Sequence, residues 1–69
     1  MKKYIEITAF EGNKVSRRID VSDKGERGID RIERGININL NHNEFYTNIV
    51  ESEVELPTGD VRDESEAGK

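Results

Sequence analysis

The polar and apolar positions of this chain alternate over several short stretches, and that period fixes most of the predicted elements. Residues 3–10 place Ile5, Ile7 and Ala9 on one face, and residues 14–21 place Val15, Ile19 and Val21 on one face. Strict alternation of this kind predicts half-buried β-strands. Glu11-Gly12-Asn13 between them is a hairpin signal. A two-residue Gly-Asn loop would set Ile5 and Ile7 with Asp20 and Arg18. A three-residue loop sets them with Val15, Ile19 and Val21. A one-residue slip turns every side chain over, so the three-residue loop is expected, with Gly12 or Asn13 in the left-handed conformation.

Residues 23–35 read as a short helix. Asp23 is a suitable N-cap, Glu26 completes a capping box, Ile29 and Ile32 share a face, and Gly35 suits the position after the last turn. Gly25 and Gly28 each weaken such a helix by about 1 kcal/mol relative to Ala. Residues 36–41 alternate again, with Ile36, Ile38 and Leu40 against Asn37, Asn39 and Asn41. This pattern predicts a strand that turns at His42-Asn43 and pairs with a strand carrying Phe45, Thr47 and Ile49. After Ile49 the phase breaks, since Val50, Val54 and Leu56 alternate with Glu51, Glu53 and Glu55. A bulge near residues 50–52 would restore it; otherwise the segment pairs elsewhere, for instance with a second subunit.

These elements make a mainly β, α+β domain. The expected architecture is a four- to five-stranded antiparallel sheet of two hairpins with one short helix between them. Residues 1–56 would form the domain. Residues 57–69, which begin with the single proline and have Val61 as their one large apolar residue, read as a disordered acidic tail.

Composition narrows the picture. The chain has 69 residues, 32% of them hydrophobic and 38% charged, which is a thin core for one small domain. Cysteine is absent and there is one histidine, so neither a disulfide nor a cysteine–histidine zinc site can brace it, and no metal or cofactor is expected. Self-association is the remaining brace, so a homodimer is expected. Glu6 interrupts any N-terminal apolar run and no stretch approaches the length of a membrane span. The expectation is a soluble, cytoplasmic protein without membrane contact.

Charge is unevenly spread. Residues 1–34 hold nine Lys/Arg and seven Asp/Glu, a balance of +2, and residues 35–69 hold two and eight, a balance of −6. The acidic half disfavours nucleic acid as its partner and favours a basic protein surface. Lys14, Arg17, Arg18, Arg27, Arg31 and Arg34 are interleaved with Asp20, Asp23, Glu26, Asp30 and Glu33. Exposed ion pairs account for that pattern better than a phosphate-binding stripe. The serines have no base beside them in any nucleophile motif, and His42 sits at a predicted turn where backbone tolerance alone explains it. No enzyme is expected.

Two groups of residues remain as binding candidates. Glu51, Glu53 and Glu55, if on one strand, point the same way about 6.6–6.8 Å apart. Phosphates along one DNA strand are separated by about 6–7 Å, from the per-strand rise combined with helical twist. Asp60, Asp63, Glu64 and Glu66 extend the negative run. A charged edge strand that resists aggregation explains the same residues. The alternative interface is the uncharged outward row Asn37, Asn39, Tyr46 and Asn48.

The order Ile7-Thr8 then Gly12, Ile29-Asp30 then Ile32-Glu33, Ile38 then Leu40, and Ile49-Val50-Glu51-Ser52 resembles the small FlbD-type flagellar and phage-associated β proteins. It covers most of residues 5–52, and residues 21–28 are an insertion relative to that pattern. Size, acidity and the absence of cysteine, with Glu51, Glu53, Glu55 and the acidic tail, also resemble early host-takeover proteins of lytic Bacillus phages. That group includes a dimeric DNA mimic that blocks the histone-like protein HU. The resemblance implies a non-enzymatic inhibitor that binds a basic DNA-binding protein of the host by imitating DNA. The other expectation is a small β-sheet interaction or adaptor module that binds through its Asn/Tyr face or a sheet edge.

Overall fold

The computed structural model describes residues 1–61. They form strand β1 (Lys2–Ala9), a short 3-10 turn (Glu11–Asn13), strand β2 (Lys14–Asp20), helix α1 (Gly25–Asn39), strand β3 (Phe45–Ser52) and a two-residue strand β4 (Gly59–Asp60). The strands make one antiparallel sheet in the order β3-β1-β2-β4. The protein is therefore α+β, with a four-stranded antiparallel sheet and one helix. The acidic tail expected beyond this part lies outside the described residues, apart from its first five positions.

β1 lies between β3 and β2, and its two faces are covered by different parts of the chain. Tyr4 and Ile5 are adjacent in sequence, point to opposite faces, and are both fully buried. Burial on both faces is what a central strand requires. On one face Ile5, Val21 and Ile29 form the core, with Ile19, Ile32 and Ile36 packed around them. The helix presents Ile29, Ile32 and Ile36 at the i, i+3, i+7 spacing of one helical face.

The β1–β2 hairpin keeps the expected register where the core needs it. Ile5 stands opposite Ile19 and Ile7 opposite Arg17. A bulge between Ile7 and Thr8 then shifts the ladder, so Val15 pairs with Thr8 and Lys14 with Ala9. The loop is thereby Phe10–Asn13, one residue longer than expected, and Val15 changes faces. Gly12 and Asn13 both take positive φ, 73° and 50°, and glycine and asparagine are the residues that adopt this conformation most readily.

Residues 36–41 are not a strand. The helix runs through Gly35 to Asn39, and the second hairpin does not form. The alternating pattern is ambiguous because Ile36 and Leu40 also continue the helical series from Ile29 and Ile32. The two periods disagree at Ile38, which the helix leaves 81% exposed. β3 pairs with β1 instead of with residues 36–41. The helix start also differs from expectation. Lys24 is the N-cap and makes no side-chain cap bond, and Gly25 enters with φ 67°. The Asp23–Glu26 capping box is absent because the preceding turn is organised by Asp20. Its carboxylate accepts from the Ser22 amide at 2.9 Å, and Lys24 N–H donates to the Val21 carbonyl at 3.1 Å.

Candidate protein-binding site

β3 and β4 occupy opposite edges of the sheet, so the chain between them crosses the face that the helix does not cover. This crossing, residues 53–58, forms a strap. β3 ends where Ser52 Oγ accepts from Val54 N–H at 3.2 Å, a local side-chain turn that competes with the strand ladder. Leu56 N–H then donates to the Tyr4 hydroxyl at 2.9 Å, and Arg18 Nη1 donates to the Pro57 carbonyl at 3.0 Å. Glu55 is exposed and Leu56 half-buried at this point. Beyond Pro57, Gly59 and Asp60 pair with Arg18 and Arg17 of β2. Val61 is buried and its N–H donates to the Ser16 carbonyl at 3.1 Å. Gly59 and Asp60 thus belong to the sheet and Val61 is bonded to it, where a tail was expected.

Beneath the strap lies an ion pair. Arg18 Nη2 and Nε meet Glu6 Oε2 at 2.7 and 2.8 Å, with side chains 14% and 13% exposed. Glu6, Arg18 and Tyr4 share the strap face of the sheet and anchor it. Sequence reading counted Arg18 among the exposed basic residues. The available signal was the alternation that sets Tyr4 and Glu6 on one side of β1, with Arg18 opposite Glu6 in the core register.

The strap redistributes the acidic residues. Glu51 is on β3 on the helix side, 4.0 Å from Lys3 Nζ. Glu53 and Glu55 lie beyond the end of the strand, exposed on the strap. Asp60 is at the far edge, opposite Arg17, and is not a free carboxylate. The strand-spaced row of Glu51, Glu53 and Glu55 therefore does not exist, because β3 ends at Ser52 and the chain turns across the sheet. Asp63, Glu64 and Glu66 lie outside the described residues. What the structure does keep together is a section of chain, residues 35–61, that carries Glu44, Glu51, Glu53, Glu55 and Asp60 and no Lys or Arg.

The alternative row is divided as well. Tyr46 and Asn48 lie opposite Thr8 and Glu6, on the strap face. Asn37 and Asn39 belong to the helix over the other face. Thr47, facing the helix, donates to Glu33 Oε2 at 3.3 Å and Asn37 Oδ1 at 3.4 Å. Tyr46 packs against Phe10, ring centroids 4.9 Å apart. His42 has a structural place: its Nε2 lies 2.9 Å from the Asn37 carbonyl, one of the helix-end acceptors left without an intrahelical donor. Asn41 organises the same turn, its Oδ1 accepting from Asn43 N–H at 3.0 Å and its Nδ2 donating to Glu44 Oε2 at 2.9 Å.

The basic residues of the helix, Arg27, Arg31 and Arg34, line a shallow surface with Asp30. Arg34 Nε is 3.1 Å from Asp30 Oδ2, an i,i+4 pair. Asp20 is held below the ordinary carboxyl value of 3.8, first by hydrogen bonding from the Ser22 side chain and then from its amide; desolvation opposes them, and Lys2 adds a lesser lowering. Among the described residues no group of three or more His, Cys, Asp or Glu could hold a metal ion, and no helix is long and apolar enough to cross a membrane. No family model, curated protein or solved structure matches this chain.

Proposed function

We propose that this chain is a non-enzymatic binding protein that docks onto a basic protein surface through its acidic strap. The observation that carries this reading is the strap itself. Glu53 and Glu55 are exposed on a segment pinned by Tyr4 and Arg18, within a section of chain that has five carboxylates and no cation. A pinned acidic segment binds with less ordering cost than a free one. Its natural counterpart is a surface rich in Lys and Arg, and the DNA-contacting surface of a host DNA-binding protein has that character. The imitation of DNA would then be of charge density, since the phosphate-like strand spacing is not present.

The test is a pull-down from bacterial lysate with salt-gradient elution, comparing the natural chain with Glu53→Gln/Glu55→Gln. Recovery of a basic DNA-binding protein, released at moderate salt and lost from the double variant, is expected. Equal recovery by the double variant would sink the reading. A second reading is an adaptor that pairs through a sheet edge, favoured by the outer edge of β3, which no strand covers among the described residues. Its partner would resist salt and be indifferent to the two glutamates.

A further inference from the structure

The two edges of the sheet are treated differently. The β2 edge is protected: β4 pairs with part of it, a bulge interrupts it, and Lys14, Arg17 and Arg18 lie along it. These are the usual devices against edge-to-edge pairing. β3 has no bulge and no Lys or Arg, and Glu51 near its end is its one charged side chain. Phe-Tyr-Thr-Asn-Ile-Val-Glu-Ser contains no proline, lysine or arginine, pairs with β1 in unbroken register over all eight residues, and is rich in aromatic and β-branched side chains. Among the described residues no strand pairs with its outer side.

The hydrogen-bonding phase of that outer side follows from two bonds. Phe10 N–H donates to the Glu44 carbonyl at 3.0 Å, continuing the β1–β3 ladder. Even-numbered residues of β3 therefore turn their peptide groups toward β1, and Thr47, Ile49 and Glu51 turn theirs outward. The bond from Val21 N–H to the Lys3 carbonyl, on the other side of β1, has the same phase. Ile49 is 45% exposed at the centre of this row.

We infer that β3 pairs antiparallel with β3 of a second copy of this chain, giving a continuous eight-stranded sheet about a two-fold axis at Asn48. The occupant is chosen by self-complementarity, which a two-fold interface demands. With the axis at Asn48, Thr47 faces Ile49 of the second copy and Tyr46 faces Val50, so aromatic and β-branched side chains meet twice. Glu51 faces Phe45, and no two like charges stand opposite. The outward peptide groups of Thr47, Ile49 and Glu51 meet their counterparts in the phase that an antiparallel ladder requires. A two-fold axis perpendicular to the sheet keeps like faces together. Both straps, with Glu53 and Glu55, then lie on one side and both helices on the other.

Sedimentation velocity on the full chain is expected to give twice the 7.9 kDa of one chain. Ile49→Lys, which places a charge on the edge at a position already half-exposed, is expected to restore the single mass with an unchanged circular dichroism spectrum. Asn48→Cys supplies the chain's only thiol. The non-hydrogen-bonded pair at the axis has Cα atoms about 4.5 Å apart, within disulfide range, so a mild oxidant should link the two copies. Asn43→Cys, outside the strand, should not be linked. A monomeric natural chain, or a dimer that survives Ile49→Lys, overturns the inference. The strap reading is independent, since Glu53 and Glu55 can capture a basic protein from a monomer as well.

Discussion

Tyr4 is the residue on which the strap depends most directly. Its ring is fully buried and its hydroxyl accepts the Leu56 amide, 52 residues away in sequence. Tyr4→Phe keeps the ring and removes the acceptor. The loss should be about 1 kcal/mol, the usual net worth of such a bond. Hydrogen exchange at the Leu56 amide should accelerate more than exchange at Ile5 in the core. Unchanged exchange at Leu56 would mean that the hydroxyl does not hold the strap. Little in the sequence indicates this bond. A tyrosine in an alternating strand reads as packing surface, and its partner is a backbone amide in a segment without periodicity. Arg18 was misread for a related reason. A guanidinium beside other basic residues looks solvated, and only the register that sets it opposite Glu6 turns it inward.

At the scale of elements, the first hairpin was legible and the second was a misreading. Ile5 and Ile19 fixed the pairing of β1 with β2 because one face had to be apolar. The bulge between Ile7 and Thr8 altered the loop without disturbing that pair. Residues 36–41 satisfied two periods at once, and Gly35 was read as the helix end. Gly35 instead sits within the helix, lacks a positive φ, and has open space where a Cβ would stand. Gly35→Ala should therefore stabilise the protein by about 0.5–1 kcal/mol, seen as a higher urea midpoint at unchanged slope. A glycine that ended the helix in the left-handed conformation would respond oppositely, losing stability on the same change. The substitution thus discriminates the continuous helix from the hairpin by sign alone.

For the molecule as a whole, the sequence conveyed the fold class and the charge asymmetry, and it missed the closure of the second face. That Glu51, Glu53 and Glu55 stand in a stretch without Lys or Arg was legible in the sequence. Their arrangement was not, because β3 ends at Ser52 and residues 53–58 pass across the sheet. That passage works as a ruler. β3 and β4 are three strand spacings apart, about 14 Å, and the seven steps from Ser52 to Gly59 reach roughly 23–25 Å when extended. The path over the edge and across the buried Tyr4 to β4 has to fit within that reach. Lengthening and shortening the strap should therefore have unequal effects. Two added glycines should cost only a little loop entropy. Deleting Val54 and Glu55 should pull β4 off β2 and expose the Val61 amide, now bonded to Ser16, to rapid exchange. A deletion variant that keeps the Val61 amide protected would show the strap to be slack. If it is taut, its length is held by span, while the side chains at its exposed positions are free to vary with whatever they meet.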